Sequence, residues 1–172
     1  MTHRSIHDRN AETLIRLFNA EFECSEKTLL VGGAKEPYFE PGIPNRVHFR
    51  ADYFRSALHE VAHWCLAGSG RRTLPDYGYW YSADGRDVSR QRAFFAVEAR
   101  PQALESIFCE ACAEPFSPSL DNTGIEVPGL AVEEFQRRLA VFRQRFELEG
   151  LPLRARRFHV ALLNAFATQV AA

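Results

Sequence analysis

The pentapeptide His59-Glu60-Val61-Ala62-His63 places two histidines four residues apart. At this spacing, side chains lie one above the other on the same face of an α-helix. If the stretch is helical, both imidazoles can bind one divalent metal ion. Glu60 is offset from His59 by about 100° around such a helix, so we expect it beside the metal rather than on it. There it can act as a base on bound water or support another ligand.

The residues that flank the motif also predict a helix. Apolar residues recur around it at helical spacing, Asp52 is a candidate N-cap, and Gly68-Ser69-Gly70 can end the helix. The alternative is a helix with two unrelated histidines, one packed and one exposed. We favour the metal site because the motif lies within an independently predicted helix.

Length and charge limit the class of protein. A chain of 172 residues can bury a core of its own, and we expect one domain over residues 1–172. The formal net charge of −1 gives no electrostatic case for nucleic acid or an anionic membrane. No apolar run reaches the roughly 18 residues of a membrane span, and the N-terminus lacks a signal-peptide core. We therefore predict a cytoplasmic protein with no direct nucleic-acid or membrane partner.

The periodicity of the rest of the chain predicts an α+β fold, mostly helical with a small sheet. Pro101 should kink or restart the long central helix, because proline removes a helical hydrogen bond. The predicted helices are 10–22, about 88–113 with Asp87 as N-cap, one from about 132 that ends before Gly150, and about 153–170. The predicted strands are 28–31, 46–49 and 76–82, with loops at 34–45 and 115–128.

Glu98 is the predicted third metal ligand. It lies on an apolar segment, where a carboxylate is costly unless it is paired or bound to metal. Glu105, seven residues on, falls near the same helix face and is the reserve candidate. The alternative is a surface carboxylate that pairs with Arg92 or Arg100.

The four cysteines are predicted to be small buried hydrophobic residues. Cys109-Glu110-Ala111-Cys112 is a C-x-x-C sequence, but a structural zinc site requires four ligands at suitable spacing. Cys24 and Cys65 are distant in sequence and complete no such set.

Two histidines and one carboxylate leave open positions on a metal, which suits two chemistries. With zinc the set makes a hydrolase in which Glu60 is the general base, and with iron(II) it is the facial set of oxygen-activating enzymes. A structural or interaction module is a third possibility, although structural zinc usually takes four protein ligands. Judged by the motif alone, a metallopeptidase is favoured.

Longer blocks of sequence are more specific than the motif. The blocks are Ser56-Ala57-Leu58-His59-Glu60-Val61-Ala62-His63-Trp64-Cys65, Asp76-Tyr77-Gly78-Tyr79-Trp80-Tyr81, Asp84-Gly85-Arg86-Asp87, Val97-Glu98 and Arg100-Pro101-Gln102-Ala103-Leu104. Together they closely resemble the bacterial elongation factor P hydroxylase family, from the first helix to about Phe166. The region around Ser82-Ala83 and residues 115–128 match that family least.

This resemblance implies a metal-dependent hydroxylase that acts on the β-lysylated lysine side chain of elongation factor P. It also implies a metalloprotease-like (zincin-like) core in which His59, His63 and Glu98 hold the metal. We expect iron(II), with zinc possible, and dioxygen as cosubstrate; nothing in the spacing suggests a 2-oxoglutarate site. A zinc metallopeptidase with Glu60 as general base remains the alternative.

The region after the motif helix supplies the predicted substrate contacts. Aromatic side chains can line a channel for the aliphatic stem of a lysyl-lysine, and acidic or aromatic groups can meet its ammonium groups. The predicted contacts are Asp76, Tyr79, Trp80, Tyr81 and Asp84, with Tyr77 and Asp87 close by.

Overall fold

The computed structural model describes residues 10–79, 86–120 and 127–170, with side chains to residue 166. These ranges form an α+β fold that is mostly helical, as predicted. None of their helices is long and apolar enough to cross a bilayer. The helices are α1 Ala11–Glu26, α2 Phe54–Leu66, α3 Val88–Ala111, α4 Gly129–Glu149 and α5 Leu153–Val170; the strands are β1 Thr28–Ala34, β2 Tyr38–Glu40 and β3 Asn45–Arg50.

The three strands form one sheet in the order β1-β3-β2. The central strand β3 is parallel to β1 and antiparallel to β2. The prediction of a loop over 34–45 was wrong for β2, which lies within it. Prolines and a glycine on both sides conceal a strand only three residues long, and its pairing with β3 is a tertiary contact that a local pattern does not contain.

The core surrounds the apolar face of α2. Trp64 is completely buried, and its ring lies 4.9 Å from the ring of Phe18 and 4.8 Å from that of Phe22, both on α1. From α5, Phe158 packs against Phe18 at 6.0 Å. Each fully buried side chain of this size contributes about 1.5–3 kcal/mol. Because this face is buried against α1 and α5, the histidine face of α2 points the other way.

The start of α2 differs from the prediction, whereas its end at Leu66, just before Gly68, agrees with it. Tyr53, not Asp52, is the N-cap, and it makes no side-chain capping bond. Ser56 Oγ instead accepts a hydrogen bond of 3.0 Å from the backbone N–H of Arg50, which ties the first turn to β3. At the other end, Arg154 of α5 donates to the carbonyl oxygens of Trp64, Cys65 and Ala67. These carbonyls have no partners within the helix, so the arginine satisfies them.

The predicted strand over 76–82 was wrong for the part that the structure describes. Residues Pro75–Gly78 form a short 3-10 turn, in which Asp76 and Tyr77 have φ values of 48° and 57°. Such left-handed backbone is incompatible with a strand. The Tyr77 ring instead stacks on Phe39 at 4.5 Å. The rest of that prediction, residues 80–82, lies outside the described residues.

Helix α3 has close to the predicted extent and is continuous through Pro101, so of the two predicted outcomes, a kink or a restart, the restart does not occur. Pro101 is buried, and α3 packs against α2, α4 and α5 along its length. These contacts outweigh the hydrogen bond that proline removes. Asp87 caps the helix as predicted, because its side chain accepts a hydrogen bond of 2.8 Å from Arg90 N–H.

The cysteines are all free thiols. Cys65, Cys109 and Cys112 are buried, as predicted, whereas Cys24 is exposed. The exposed position of Cys24 follows from α1, since the buried face of that helix passes through Phe18 and Phe22 instead.

The contacts of Arg154 predict a stability effect. Replacement of Arg154 by methionine leaves carbonyls at the end of α2 without their charged donor. We expect the free energy of unfolding to fall by about 2–3 kcal/mol, measured by urea denaturation. Arg156→Met on the exposed side of the same helix is the control and should change it by less than about 0.5 kcal/mol. Equal effects of the two substitutions would contradict this assignment.

Candidate metal centre

Helices α2 and α3 bring the three predicted ligands together. The Nε2 atoms of His59 and His63 are 3.0 Å apart. Glu98 reaches across from α3, with its carboxylate oxygens 3.4 Å from Nε2 of His59 and 3.3 Å from Nε2 of His63. The alternative of a surface carboxylate paired with an arginine was wrong, since Glu98 is only 3% exposed.

These distances fit a shared metal ion. Two ligand atoms about 2.1 Å from one ion, at angles between octahedral and tetrahedral, lie about 3.0–3.4 Å apart. The three measured separations fall in that range. In addition, Oε2 of Glu98 is buried and has no hydrogen-bond partner among the residues that the structure describes. A buried carboxylate oxygen without a partner is costly, and a cation among these three side chains would remove that cost.

The charges of the cluster favour a cation at the same place. Burial acts to raise the pKa of Glu98, but the facing imidazoles of His63 and His59 outweigh it and hold that pKa below its ordinary value. Burial acts to lower the pKa of His59, yet Glu105 and Glu98 raise it above its ordinary value. The carboxylates therefore stabilise positive charge on this side of α2, whether a proton or a metal ion carries it.

Glu105, the reserve candidate for the third ligand, lies on the far side of the imidazole. Its Oε2 is 2.9 Å from Nδ1 of His59, whereas Glu98 faces Nε2. The two glutamates are seven positions apart, which corresponds to about 10.5 Å along a helix, so the two carboxylates reach opposite edges of one ring. Glu105 also pairs with Arg55, at 2.8 Å.

Sequence analysis did not single out Arg55. The signal was present, because Arg55 precedes His59 by four residues and so continues the histidine face of α2 by one turn. Its partner on α3 is 50 residues away, and only the tertiary structure shows that contact.

Glu60 lies beside the cluster, where its offset on the helix predicts. It lines the same cleft but is not one of the three residues whose ligand atoms converge. Within the described part of the chain, no hydrogen bond or ion pair to its carboxylate is present. Burial raises its pKa, against the opposing effect of the two histidines. A carboxylate with these properties is suited to proton transfer.

A cleft of about 620 Å³ opens onto the cluster. Asp76 and Tyr79, two of the residues named as substrate contacts in the sequence analysis, line it. Asp76 already accepts a hydrogen bond of 2.8 Å from the backbone N–H of Phe39, and the guanidinium of Arg71 covers the Tyr79 ring at 4.3 Å. The other predicted contacts, Trp80, Tyr81 and Asp84, lie outside the described residues. Lining residues that the sequence analysis missed include Glu36, Tyr38, Phe39, Phe94 and Ser119.

The α+β fold thus brings two histidines and one carboxylate together beside an open cleft, in an arrangement that could hold one metal ion. Comparison with known proteins identifies the family of the chain. The family model described as elongation factor P hydroxylase matches residues 17–172, and the chain belongs to that family. It is 39% identical over 166 residues to the elongation factor P lysine hydroxylase of Haemophilus influenzae, covering 94% of this chain and 92% of that relative. The resemblance stated from the sequence is confirmed.

The geometry of the cluster predicts metal binding. We expect about one divalent ion per wild-type chain and much less in His59→Ala, His63→Ala or Glu98→Ala, because each loses a ligand. Elemental analysis of anaerobically purified protein measures this. His159→Ala, which removes a histidine of α5 outside the cleft, should retain the full content. Undiminished metal in Glu98→Ala would contradict the role of Glu98.

Proposed function

We propose that this protein hydroxylates a lysine side chain of elongation factor P after a β-lysyl group has been attached to it. The observation that carries the proposal is a two-histidine, one-carboxylate cluster facing an open cleft, in a chain of the elongation factor P hydroxylase family. We further propose that one cytoplasmic domain with a zincin-like core, in which α2 carries the H-E-x-x-H motif, performs the reaction.

In this proposal His59, His63 and Glu98 hold one divalent ion, for which we propose iron(II), with zinc possible. When bound by such a set, iron(II) has open positions at which dioxygen can be activated. Glu98 supplies the negative charge of the set, and its burial excludes water from that side. Glu60 holds or releases a proton at the edge of the cleft. No 2-oxoglutarate is invoked.

The cleft suits a long aliphatic side chain with a cationic end. The rings of Tyr38, Phe39 and Phe94 provide apolar surface for the stem, and Glu36 and Asp76 provide carboxylates for ammonium groups. Tyr79, Trp80, Tyr81 and Asp84 remain proposed contacts.

The exposed edge of the sheet beside the cleft favours a side chain, rather than an extended peptide backbone, as the group that binds there. A peptide that joins a sheet needs free backbone groups on the edge strand. Along β2, the N–H of Phe39 that points away from β3 is bonded to Asp76, and Pro37, just before the strand, has no N–H. This edge therefore offers few donors to a peptide backbone, whereas a side chain can enter without pairing.

The environment of Glu60 predicts separate effects on metal and on activity. Glu60→Gln keeps the shape but cannot take up a proton, so we expect nearly full metal content with activity reduced by at least ~100-fold. Metal analysis and turnover are measured on the same preparation. If metal and activity are lost in parallel, Glu60 is a ligand or a support for one.

The product distinguishes the proposed reaction from hydrolysis. Incubation of β-lysylated elongation factor P with the iron-loaded enzyme, in air and with an added two-electron reductant, should add about 16 Da to an intact chain. One oxygen atom of labelled dioxygen enters the product, and the reductant converts the other to water. Intact-mass spectrometry measures this, and His63→Ala is the negative control. Peptide cleavage by zinc-loaded enzyme, with its gain of about 18 Da of water, and no change with iron would establish a metallopeptidase instead.

A further inference from the structure

Two charged side chains outside the ligand set form a continuous hydrogen-bonded chain with a proposed ligand. Glu105 places Oε2 2.9 Å from Nδ1 of His59 and Oε1 2.8 Å from Nη2 of Arg55. Both oxygens of one carboxylate are thus in use. Arg55 in turn donates to the carbonyl of Ser117 at 2.9 Å and lies over the ring of Phe116 at 5.3 Å.

The contact to Glu105 determines which nitrogen of His59 carries the proton. An ionised carboxylate only accepts hydrogen bonds, so Nδ1 must be the donor. In the neutral imidazole the lone pair is then on Nε2, the atom that faces His63 and Glu98. A metal requires that tautomer, and the negative charge behind the ring makes Nε2 a stronger donor of electrons to it.

The burial of Glu105 explains why Arg55 belongs with it. The Glu105 side chain is only 3% exposed, whereas that of Arg55 is 32% exposed. A carboxylate buried this deeply is costly without a cationic partner. Arg55 supplies that partner, and its own contacts to Ser117 hold the guanidinium in place.

We propose that Glu105 and Arg55 are a positioning pair, which holds His59 with its proton on Nδ1 and its Nε2 directed at the metal, and that neither is a ligand. The pair acts through His59, so this inference rests on the metal centre of the proposed function. His63 provides an internal comparison, because no contact to its Nδ1 is found in the described part of the chain.

The test is titration of metal-free, full-length protein with Co²⁺, followed by its absorption spectrum. Glu105→Leu removes charge and hydrogen bond, and we expect it to bind one ion per chain about 10–100-fold more weakly. Glu105→Gln retains an acceptor oxygen, so its loss should be smaller. Arg55→Met should fall between wild type and Glu105→Leu. The Co²⁺ spectrum should be the same in all four proteins, because the ligands are unchanged.

Nitrogen-correlated proton NMR of the zinc-loaded variants, in which the metal replaces the proton on Nε2, supplies a readout that a purely structural role would not alter. In Glu105→Leu the Nδ1–H signal of His59 should lose the shift of a proton hydrogen-bonded to a carboxylate, whereas that of His63 should be unchanged. Glu110→Gln, which removes an exposed carboxylate from the same helix, is the control and should bind Co²⁺ within about twofold of wild type. Circular dichroism establishes that each variant is folded, and Glu105→Gln decides the matter if Glu105→Leu is not.

The outcomes separate this inference from the proposed function. If wild-type protein binds no Co²⁺, the proposed metal centre fails. If wild type binds Co²⁺ and both Glu105 variants bind it as tightly as wild type does, only the positioning role is overturned. A changed Co²⁺ spectrum in Glu105→Gln would identify Glu105 as a ligand, which also overturns it.

Discussion

The packing of α2 between two different environments is the constraint on which the rest of the structure depends. One face of this helix carries Trp64 into a cluster of phenylalanines from α1 and α5. The opposite face carries His59 and His63 towards α3. Since a helix is rigid, the first contact fixes the direction of the second. The positions of the two histidines are therefore fixed by apolar packing on the far side of the helix.

Helix α3 supplies polar groups to an interior that most helices would fill with apolar ones. Glu98, Gln102 and Glu105 are each no more than 3% exposed. Each is costly to bury alone, but each has partners: imidazoles for Glu98, the backbone of Ser119 for Gln102, and His59 with Arg55 for Glu105. A row of buried polar side chains is tolerated only when its groups have partners. Oε2 of Glu98 has no hydrogen bond in the described part of the chain, and a cation bound there would supply the partner.

The parts of this protein that sequence predicts are those whose information is local. Helical spacing was enough for α1, α2, α4 and α5, and the four-residue interval of the histidines was enough to place them on one face. The errors arose where distant residues decide: β3 turns residues 38–40 into a strand, and Phe39 and Asp76 hold residues 76–79 in a turn. The extent of α3 was predicted, but its continuity through Pro101 depends on neighbouring helices. The link from Arg55 to Glu105 is of the same kind, because it joins residues 50 positions apart.

The side-chain amide of Gln102 pairs with the backbone of Ser119 in the way that a neighbouring strand would. It accepts a hydrogen bond of 2.9 Å from the Ser119 N–H and donates one of 3.0 Å to the Ser119 carbonyl. Arg55 donates a hydrogen bond to the carbonyl of Ser117 in the same segment. The chain that follows α3 is thus held at two points, Ser117 and Ser119, of which Ser119 lines the cleft. Its length is consequently a determinant of what the cleft accepts. Deletion of a single residue between Ala113 and Phe116 would shift the following segment by about 3.3 Å relative to α3 and present a different side chain to the cleft. His59, His63 and Glu98 would be unchanged.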